Sequence, residues 1–196
     1  MSFKSPVTLV HAYLRTTVRP GDIVVDATVG NGNDTVVLAS LVGPTGMVYG
    51  FDVQPIALDV TRAKLERAGM QATLFCANHD SMVQTLPPDV RGTIRACCFN
   101  LGYLPGGDKS ITTHVASTIS AVRAAYDMLA DTGLITIVAY QHDEGRVELA
   151  ELRRWLPTLS DATVNVVEST FINREPTSPV VFAIMKTTEP LELPIR

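Results

Sequence analysis

Hydrophobic residues in this chain form short continuous runs, and these alternate with longer segments in which apolar residues recur every three or four positions. Runs such as "DIVVD" and "LITIV" are typical of strands buried on both faces, whereas the longer segments are typical of amphipathic helices. The alternation predicts βα units that build a parallel sheet. The predicted strands cover residues 21–28, 47–53, 72–78, 94–101 and 133–140, and the predicted helices cover 6–18, 34–42, 56–69, 79–87, 112–130 and 145–159.

The pattern changes near the C-terminus. Two β-rich runs, 162–173 and 178–187, follow each other with only "REPT" between them. A loop this short permits an antiparallel hairpin and leaves no room for a crossover helix. We therefore predict an α/β, doubly wound, Rossmann-like sheet of seven strands that is mostly parallel and ends in an antiparallel hairpin. This ending resembles the class I methyltransferase fold and is unusual for dinucleotide dehydrogenases.

Composition narrows the class of protein. The chain has 196 residues, of which 46% are hydrophobic and 18% charged, so we predict one globular domain over residues 1–196. No run approaches the roughly 20 apolar residues of a membrane span, and no signal peptide is visible, which predicts a cytoplasmic protein without a membrane partner. The net charge of −4 argues against a nonspecific nucleic-acid coat. Three cysteines in apolar runs predict reduced, buried thiols, and the spacing of the histidines predicts no metal site.

A glycine-containing loop, "DATVGNGND", joins the first strand to its helix. Gly30 and Gly32 allow a tight turn close to a ligand, but Thr35 stands where the dinucleotide-binding fingerprint requires a third glycine. Asp26 ends the first predicted strand and Asp52 ends the second, so both carboxylates fall at one edge of the sheet. In a methyltransferase-like site, Asp52 would bind ribose hydroxyls and Asp26 would lie near the methionine part of the cofactor. The alternative is that both residues only cap turns or helices.

"ANHDS" follows the third predicted strand, where this fold usually holds an adenine ring. Asp80 could accept a hydrogen bond from the adenine amino group, and His79 could line the pocket. Alternatively, Asp80 or Asn78 is simply the N-cap of the short helix that follows.

"FNLGYLPGGDKSI" leaves the fourth predicted strand as a long polar loop. Asn100 to Tyr103 matches the length and the ends of the N-P-P-Y motif of amino-group methyltransferases, with Leu-Gly in place of Pro-Pro. An asparagine carbonyl can accept a hydrogen bond from an amine, and a tyrosine ring can stack on a base. The segment "PGGDKS" could supply a flexible lid and a phosphate-facing Lys109. The alternative is a long connecting loop in which Asn100 is a turn residue.

Taken together, "DATVGNGND", "GFDVQ", "NHD", "FNLGYLPGGDKSITT" and "FINR" closely resemble a bacterial family first labelled rRNA methylases. Members of that family are understood as tRNA methyltransferases of 5-aminomethyl-2-thiouridine at the anticodon wobble position. The resemblance implies S-adenosylmethionine as cofactor, the tRNA anticodon loop as partner, and a possible homodimer. It implies cofactor contacts from Asp26, Thr28, Gly30, Asn31, Gly32, Asn33, Asp34, Asp52, Gln54, His79, Asp80 and Asn100.

The same resemblance suggests the substrate side of the site. We expect Asn100 to orient the amine, Tyr103 to pack on the nucleoside, and His142 or Tyr140 to assist proton removal. Further substrate contacts are predicted for Gly102, Lys109 and Arg174, and RNA phosphates could meet Lys109, Arg146, Arg153, Arg154 and Arg174. In this chain "YQHDEG" replaces the Tyr-His-Gly-His-Pro-Glu-Gly run of the family and is shorter by one residue. An rRNA methyltransferase, a small-molecule amine N-methyltransferase and a noncatalytic binding module are the alternatives.

Overall fold

The computed structural model describes residues 4–104, 106 and 113–187. The strands are β1 (Ile23–Asp26), β2 (Met47–Asp52), β3 (Thr73–Cys76), β4 (Ile94–Leu101), β5 (Leu129–Ala139), β6 (Val164–Ser169) and β7 (Val180–Lys186). The α-helices are α1 (Pro6–Thr17), α2 (Asn33–Val42), α3 (Pro55–Arg67), α4 (Met82–Thr85), α5 (Val115–Met128) and α6 (Asp143–Trp155), and single 3₁₀ turns cover His79–Ser81, Pro88–Val90 and Leu156–Thr158. None of the helices in this part of the chain combines the length and the apolar character that crossing a membrane requires.

The strands form one sheet in the order β3-β2-β1-β4-β5-β7-β6. The first five pair in parallel, whereas β7 is antiparallel to both β5 and β6. This arrangement confirms the predicted class I methyltransferase sheet with its antiparallel ending. The chain winds outward from β1 to β3 and then returns to place β4 on the other side of β1. The connections that follow β1 and β4 therefore run to opposite faces of the sheet, to α2 and α5, and such a switch point is where open α/β sheets bind ligands.

Alternate residues of the strands face two separate hydrophobic layers. Val24 and Cys98 belong to the layer covered by α1, α2 and α3, whereas Val25 and Cys97 belong to the layer covered by α4, α5 and α6. The continuous apolar runs of the sequence are explained by this arrangement, because neighbouring residues on a strand must both be apolar when both faces are covered.

Two predicted boundaries near the later strands were wrong. Residues 129–130 were assigned to the helix, but Leu129 already pairs with Ile94 of β4, so the strand begins where α5 ends. The run 162–173 was assigned entirely to a strand, but its pairing with β7 stops at Ser169. In both places the end of the strand is determined by its pairing with the neighbouring strand and not by the apolar residues in the sequence around it.

The cysteines were predicted to be buried and reduced. Cys97 and Cys98 are fully buried free thiols, and burial raises the pKa of both well above the usual value. Cys76 is a free thiol but is exposed, because it ends β3 at the edge of the sheet. Its prediction as a buried residue was therefore wrong.

The packing of α1 gives a test of the fold. Leu14 is fully buried against the sheet, so Leu14→Ala should lower the free energy of unfolding by about 2–5 kcal/mol, measured by urea denaturation. Ile172 is 96% exposed, and Ile172→Ala should change it by less than about 0.5 kcal/mol. Equal effects of the two substitutions would contradict this packing of the helix.

Candidate active site

A cavity of about 580 Å³ opens at the carboxyl ends of the parallel strands. Its size suits a small-molecule ligand together with part of a second group. Among the residues predicted from the sequence, those that line it are Thr28, Gly30, Asn31, Asn33, Asp34, Asp52, Gln54, His79, Asn100, Gly102, Tyr103, Tyr140 and His142. The cavity wall does not include Asp26, Gly32, Asp80 or Arg174, and Lys109 lies outside the described residues.

The loop between β1 and α2 is held against the end of β2. The backbone N–H of Gly30 donates to Asp52 Oδ2 at 2.8 Å, and the N–H of Gln54 donates to Asp52 Oδ1 at 2.9 Å. At Gly32 φ is +73°, and a Cβ atom there would lie 2.4 Å from Thr61 Oγ1, so only glycine fits. Lys64 of α3 stabilises the same loop, because its Nζ donates a hydrogen bond to the carbonyl of Asn31 at 2.6 Å.

Asp26 lies beneath this loop instead of facing the cavity. It is 1% exposed, and its carboxylate accepts hydrogen bonds from the Thr35 hydroxyl at 2.6 Å and from the Thr28 N–H at 3.2 Å. Burial, and to a smaller extent the nearby charge of Asp34, raises the pKa of Asp26 from 3.8 to about 7. Thr35, which replaces the third glycine of the dinucleotide fingerprint, is thus part of the loop's internal support.

Asp34 connects three elements of the structure. One carboxylate oxygen lies 2.6 Å from His11 Nε2 on α1, and the other accepts a hydrogen bond from Asn100 Nδ2 at 3.4 Å. The Asn100 backbone N–H also donates to Thr28 Oγ1 at 2.6 Å. Because the amide nitrogen of Asn100 is directed to Asp34, its side-chain carbonyl oxygen remains available as an acceptor. No local sequence signal marked His11, since only the folding of α1 onto the sheet brings it here.

The segment after β3 contains both a helix cap and a residue that lines the cavity, the two alternatives suggested by the sequence. Asn78 caps the 3₁₀ turn by accepting the Asp80 N–H at 3.2 Å, and Asp80 is exposed outside the cavity wall. His79 is buried and lines the cavity, with its Nδ1 3.1 Å from the carbonyl of Ala27. Burial lowers the pKa of His79, so the ring is neutral and donates its Nδ1 proton to that carbonyl. Nε2 is then an acceptor, and no described residue pairs with it.

The rings of Tyr103, Tyr140 and His142 form another part of the cavity wall. Tyr103 is 42% exposed and Tyr140 is 36% exposed, and the Tyr103 ring lies 5.8 Å from the His142 ring between centroids. Burial, and after it the charge of Asp34, raises the pKa of Tyr140. A tyrosine hydroxyl with a raised pKa stays neutral and is a poor proton acceptor. Tyr140 is therefore suited to pack against a ligand and to form a hydrogen bond with it.

His142 is the N-cap of α6. Its Nδ1 accepts a hydrogen bond from the Gly145 N–H at 3.1 Å. A ring nitrogen that accepts carries no proton, so the neutral ring has its proton on Nε2. Nε2 is consequently a donor, and in this arrangement His142 does not provide the proton acceptor that the sequence suggested.

The far end of the loop after β4 is anchored by a buried carboxyl group. Glu148 on α6 is fully buried and accepts hydrogen bonds from the hydroxyls of Thr113 at 2.9 Å and Thr118 at 2.5 Å. The Thr113 N–H in turn donates to the carbonyl of Gly102 at 3.4 Å. Burial raises the pKa of Glu148. Nothing in the spacing of the sequence indicated this contact between two helices.

The arginines predicted to meet RNA phosphates have protein partners. Arg153 forms an ion pair with Glu168 and Arg154 with Glu151, while Arg174 donates to the Lys4 carbonyl at 2.6 Å and stacks on Phe171. The β6–β7 loop that carries Arg174 nevertheless lies beside the cavity. Gln141 donates to the carbonyls of Pro176 and Ser178 in that loop, and Thr177 lines the cavity. Within the described ranges, no group of His, Cys, Asp or Glu side chains is arranged to hold a metal ion.

The chain is similar to known methyltransferases. The profile of a family described as "Putative rRNA methylase" matches residues 48–185. A chloroplast protein of Arabidopsis thaliana, named tRNA (mnm(5)s(2)U34)-methyltransferase, is 40% identical over 157 residues, which are 74% of this chain and 57% of that protein. The chain thus spans little more than half of that relative.

Two solved structures are similar over almost the whole chain. A Clostridium thermocellum protein described as an rRNA methylase superposes with a TM-score of 0.89 at 38% identity, covering 95% of this chain and 100% of that one. A Streptococcus mutans protein described as a methyltransferase, solved in complex with SAH, gives 0.84 at 33% identity, covering 94% and 99%.

The buried Asp26 predicts a pH effect on stability. Its pKa is about 7 in the folded protein and near 3.8 when unfolded, so between these values the folded state binds the extra proton. Folding stability from this group is therefore greatest at low pH and falls as the pH rises to 7. Relative to the wild type, Asp26→Asn should become progressively more stable from about pH 4 to about pH 7 and then level off.

Urea denaturation across this pH range measures the effect. Asp161→Asn, which changes an exposed carboxyl group, is the matched control for a side chain that stays in water. A difference between Asp26→Asn and the wild type that does not vary with pH would contradict the raised pKa.

Proposed function

The chain belongs to the rRNA methylase family, and from this membership we propose that it is an S-adenosylmethionine-dependent N-methyltransferase acting on RNA. The substrate we propose is 5-aminomethyl-2-thiouridine at the tRNA wobble position, and the product is 5-methylaminomethyl-2-thiouridine. One observation carries the proposal: a single cavity is lined both by the loop that resembles a cofactor site and by the Asn100 to Tyr103 segment that resembles an amine site. The described residues would then belong to one methyltransferase domain.

Asp52 is the proposed ribose contact. Each of its oxygens already accepts one backbone N–H, and each has a second lone pair that could accept a ribose hydroxyl. Ala77, Asn78 and His79 line the cavity beyond the end of β3, where an adenine ring would fit. The S. mutans relative, which was solved in complex with SAH, supports S-adenosylmethionine as the cofactor.

Asn100 is the proposed amine contact. When bound, the cofactor would supply an electrophilic methyl group on a positively charged sulfur. The Asn100 carbonyl would accept a hydrogen bond from the substrate amine and direct the nitrogen lone pair at that methyl group. A free alkylamine has a pKa of about 10.4, and burial next to a positive charge favours the neutral form that can react.

RNA would approach along the edge formed by Tyr103, Tyr140 and the β6–β7 loop. The exposed Tyr103 ring is suited to stacking on a base. Ile172, in the β6–β7 loop, is also exposed. Arg153 and Arg154 form exposed ion pairs with Glu168 and Glu151, and we assign phosphate binding to neither. A homodimer stays a prediction from the family resemblance.

The proposed function is tested by nucleoside mass analysis. Purified protein and S-adenosylmethionine are incubated with tRNA that carries 5-aminomethyl-2-thiouridine, and we expect that nucleoside to gain one methyl group. If SAH binds to the protein but the nucleoside gains nothing, the wobble-uridine substrate is wrong, and rRNA and small amines should be assayed next.

Two substitutions should separate amine positioning from cofactor binding. Asn100→Ala should lower turnover by at least about 100-fold, because the amine is no longer held in line, while SAH affinity changes less than about threefold. Asp52→Asn should weaken SAH binding by about 10- to 100-fold, because it removes a charged acceptor. Calorimetry with SAH and single-turnover methylation measure the two effects, and the orienting role fails if Asn100→Ala retains turnover.

A further inference from the structure

The Nε2–H of His142 is a hydrogen-bond donor for which the described chain provides no acceptor. Nδ1 accepts the Gly145 N–H, which fixes the proton of the neutral ring on Nε2. Nε2 is buried, and no described residue pairs with it. A buried donor left without an acceptor is unfavourable, so a ligand atom is the natural partner.

The surroundings of Nε2 place it on the substrate side of the cavity. A Cβ atom built on Gly102 would lie 3.5 Å from Nε2 and 3.7 Å from the Tyr140 ring, so a side chain at this position would fill the space next to Nε2. The Tyr103 ring flanks the imidazole, and Gly102 lies two residues after Asn100. His142, Gly102 and Asn100 all line the same cavity, so a single ligand can contact His142 and Asn100 together.

We propose that His142 donates its Nε2–H to O4 of the modified uridine and thereby selects the base whose amine Asn100 orients. This inference rests on the proposed function. In 5-aminomethyl-2-thiouridine, O4 is bonded to C4, the ring carbon next to C5, and C5 carries the aminomethyl group, so the amine and O4 lie on the same edge of the pyrimidine. An asparagine acceptor for the amine and an adjacent histidine donor for the carbonyl together match that edge.

A phosphate group is a less suitable partner for this donor. Anions bind at helix N-termini through free backbone N–H groups, but here the Gly145 N–H is used by His142 Nδ1 and the Arg146 N–H by the His142 carbonyl. A neutral imidazole in a buried position instead suits a neutral carbonyl oxygen.

Two substitutions separate the cap from the donor. In His142→Asn the amide oxygen can still accept the Gly145 N–H, but the side chain is too short to replace Nε2. In His142→Gln the amide nitrogen can reach the position of Nε2, but the helix cap is weakened. We expect the Asn variant to keep SAH affinity and folding stability while kcat/KM for the RNA falls about 10- to 100-fold. The Gln variant should have the lower stability of the two but a kcat/KM about tenfold above that of the Asn variant.

The identity of the acceptor is tested with two anticodon stem-loop RNAs. One carries 5-aminomethyl-2-thiouridine, and the other carries the matching 5-aminomethyl-pyrimidine-2-thione, which lacks O4. The wild type should prefer the first RNA by about 10- to 100-fold in kcat/KM, whereas the Asn variant should discriminate less than about threefold.

The outcomes distinguish this inference from the proposed function. If the wild type binds SAH but methylates neither RNA, the proposed function is wrong and the inference fails with it. If the wild type methylates the first RNA but the Asn variant shows the same preference between the two, the O4 contact alone is refuted. A Gln variant as impaired as the Asn variant would likewise overturn the role of the donor.

Discussion

Parallel pairing of β1 with β2 on one side and with β4 on the other determines where Asp26, Asp52 and Asn100 lie in the site. Asp26 is in register with Gly50 of β2 and with Cys98 of β4. Asp52 and Asn100 therefore each extend two residues past the end of β1, one on either side of the loop that follows it. The loop fills the space between them, and its Gly30 N–H reaches Asp52 while Thr28 reaches the backbone of Asn100. If either pairing slipped by one residue, the two halves of the site would no longer meet.

Negative charge at this edge follows from the same pairing. Asp26 and Asp52 end two neighbouring strands and Asp34 lies in the first turn of α2, and the proximity of the three carboxyl groups is unfavourable without compensation. Each is compensated differently: Asp26 is buried with a raised pKa, Asp34 pairs with His11, and Asp52 accepts two backbone N–H groups. A cation bound in the cavity would be stabilised by the two carboxylates that line it. The proposed cofactor carries such a positive charge at its sulfur.

Two histidines face the cavity with opposite hydrogen-bonding character. His79 donates from Nδ1 to the Ala27 carbonyl, so its Nε2 is an acceptor, whereas His142 accepts at Nδ1 and its Nε2 is a donor. In each case the backbone contact of one nitrogen determines what the other can offer. The identity of these residues as histidines therefore does not reveal their roles, which depend on the neighbouring backbone groups.

The sequence alone determined the order of strands and helices, the antiparallel ending and the edge at which Asp52 and Asn100 lie, because hydrophobic period, loop length and strand ends are local properties. Tertiary structure decided the remainder. Asp26 became a buried support because α2 folds back to bring Thr35 onto it, and His11 joined the site because α1 packs on the sheet. The exposure of Cys76 followed from the position of β3 at the edge. The proton on His142 Nε2 was fixed by the start of α6, since only a folded helix presents the Gly145 N–H to the ring.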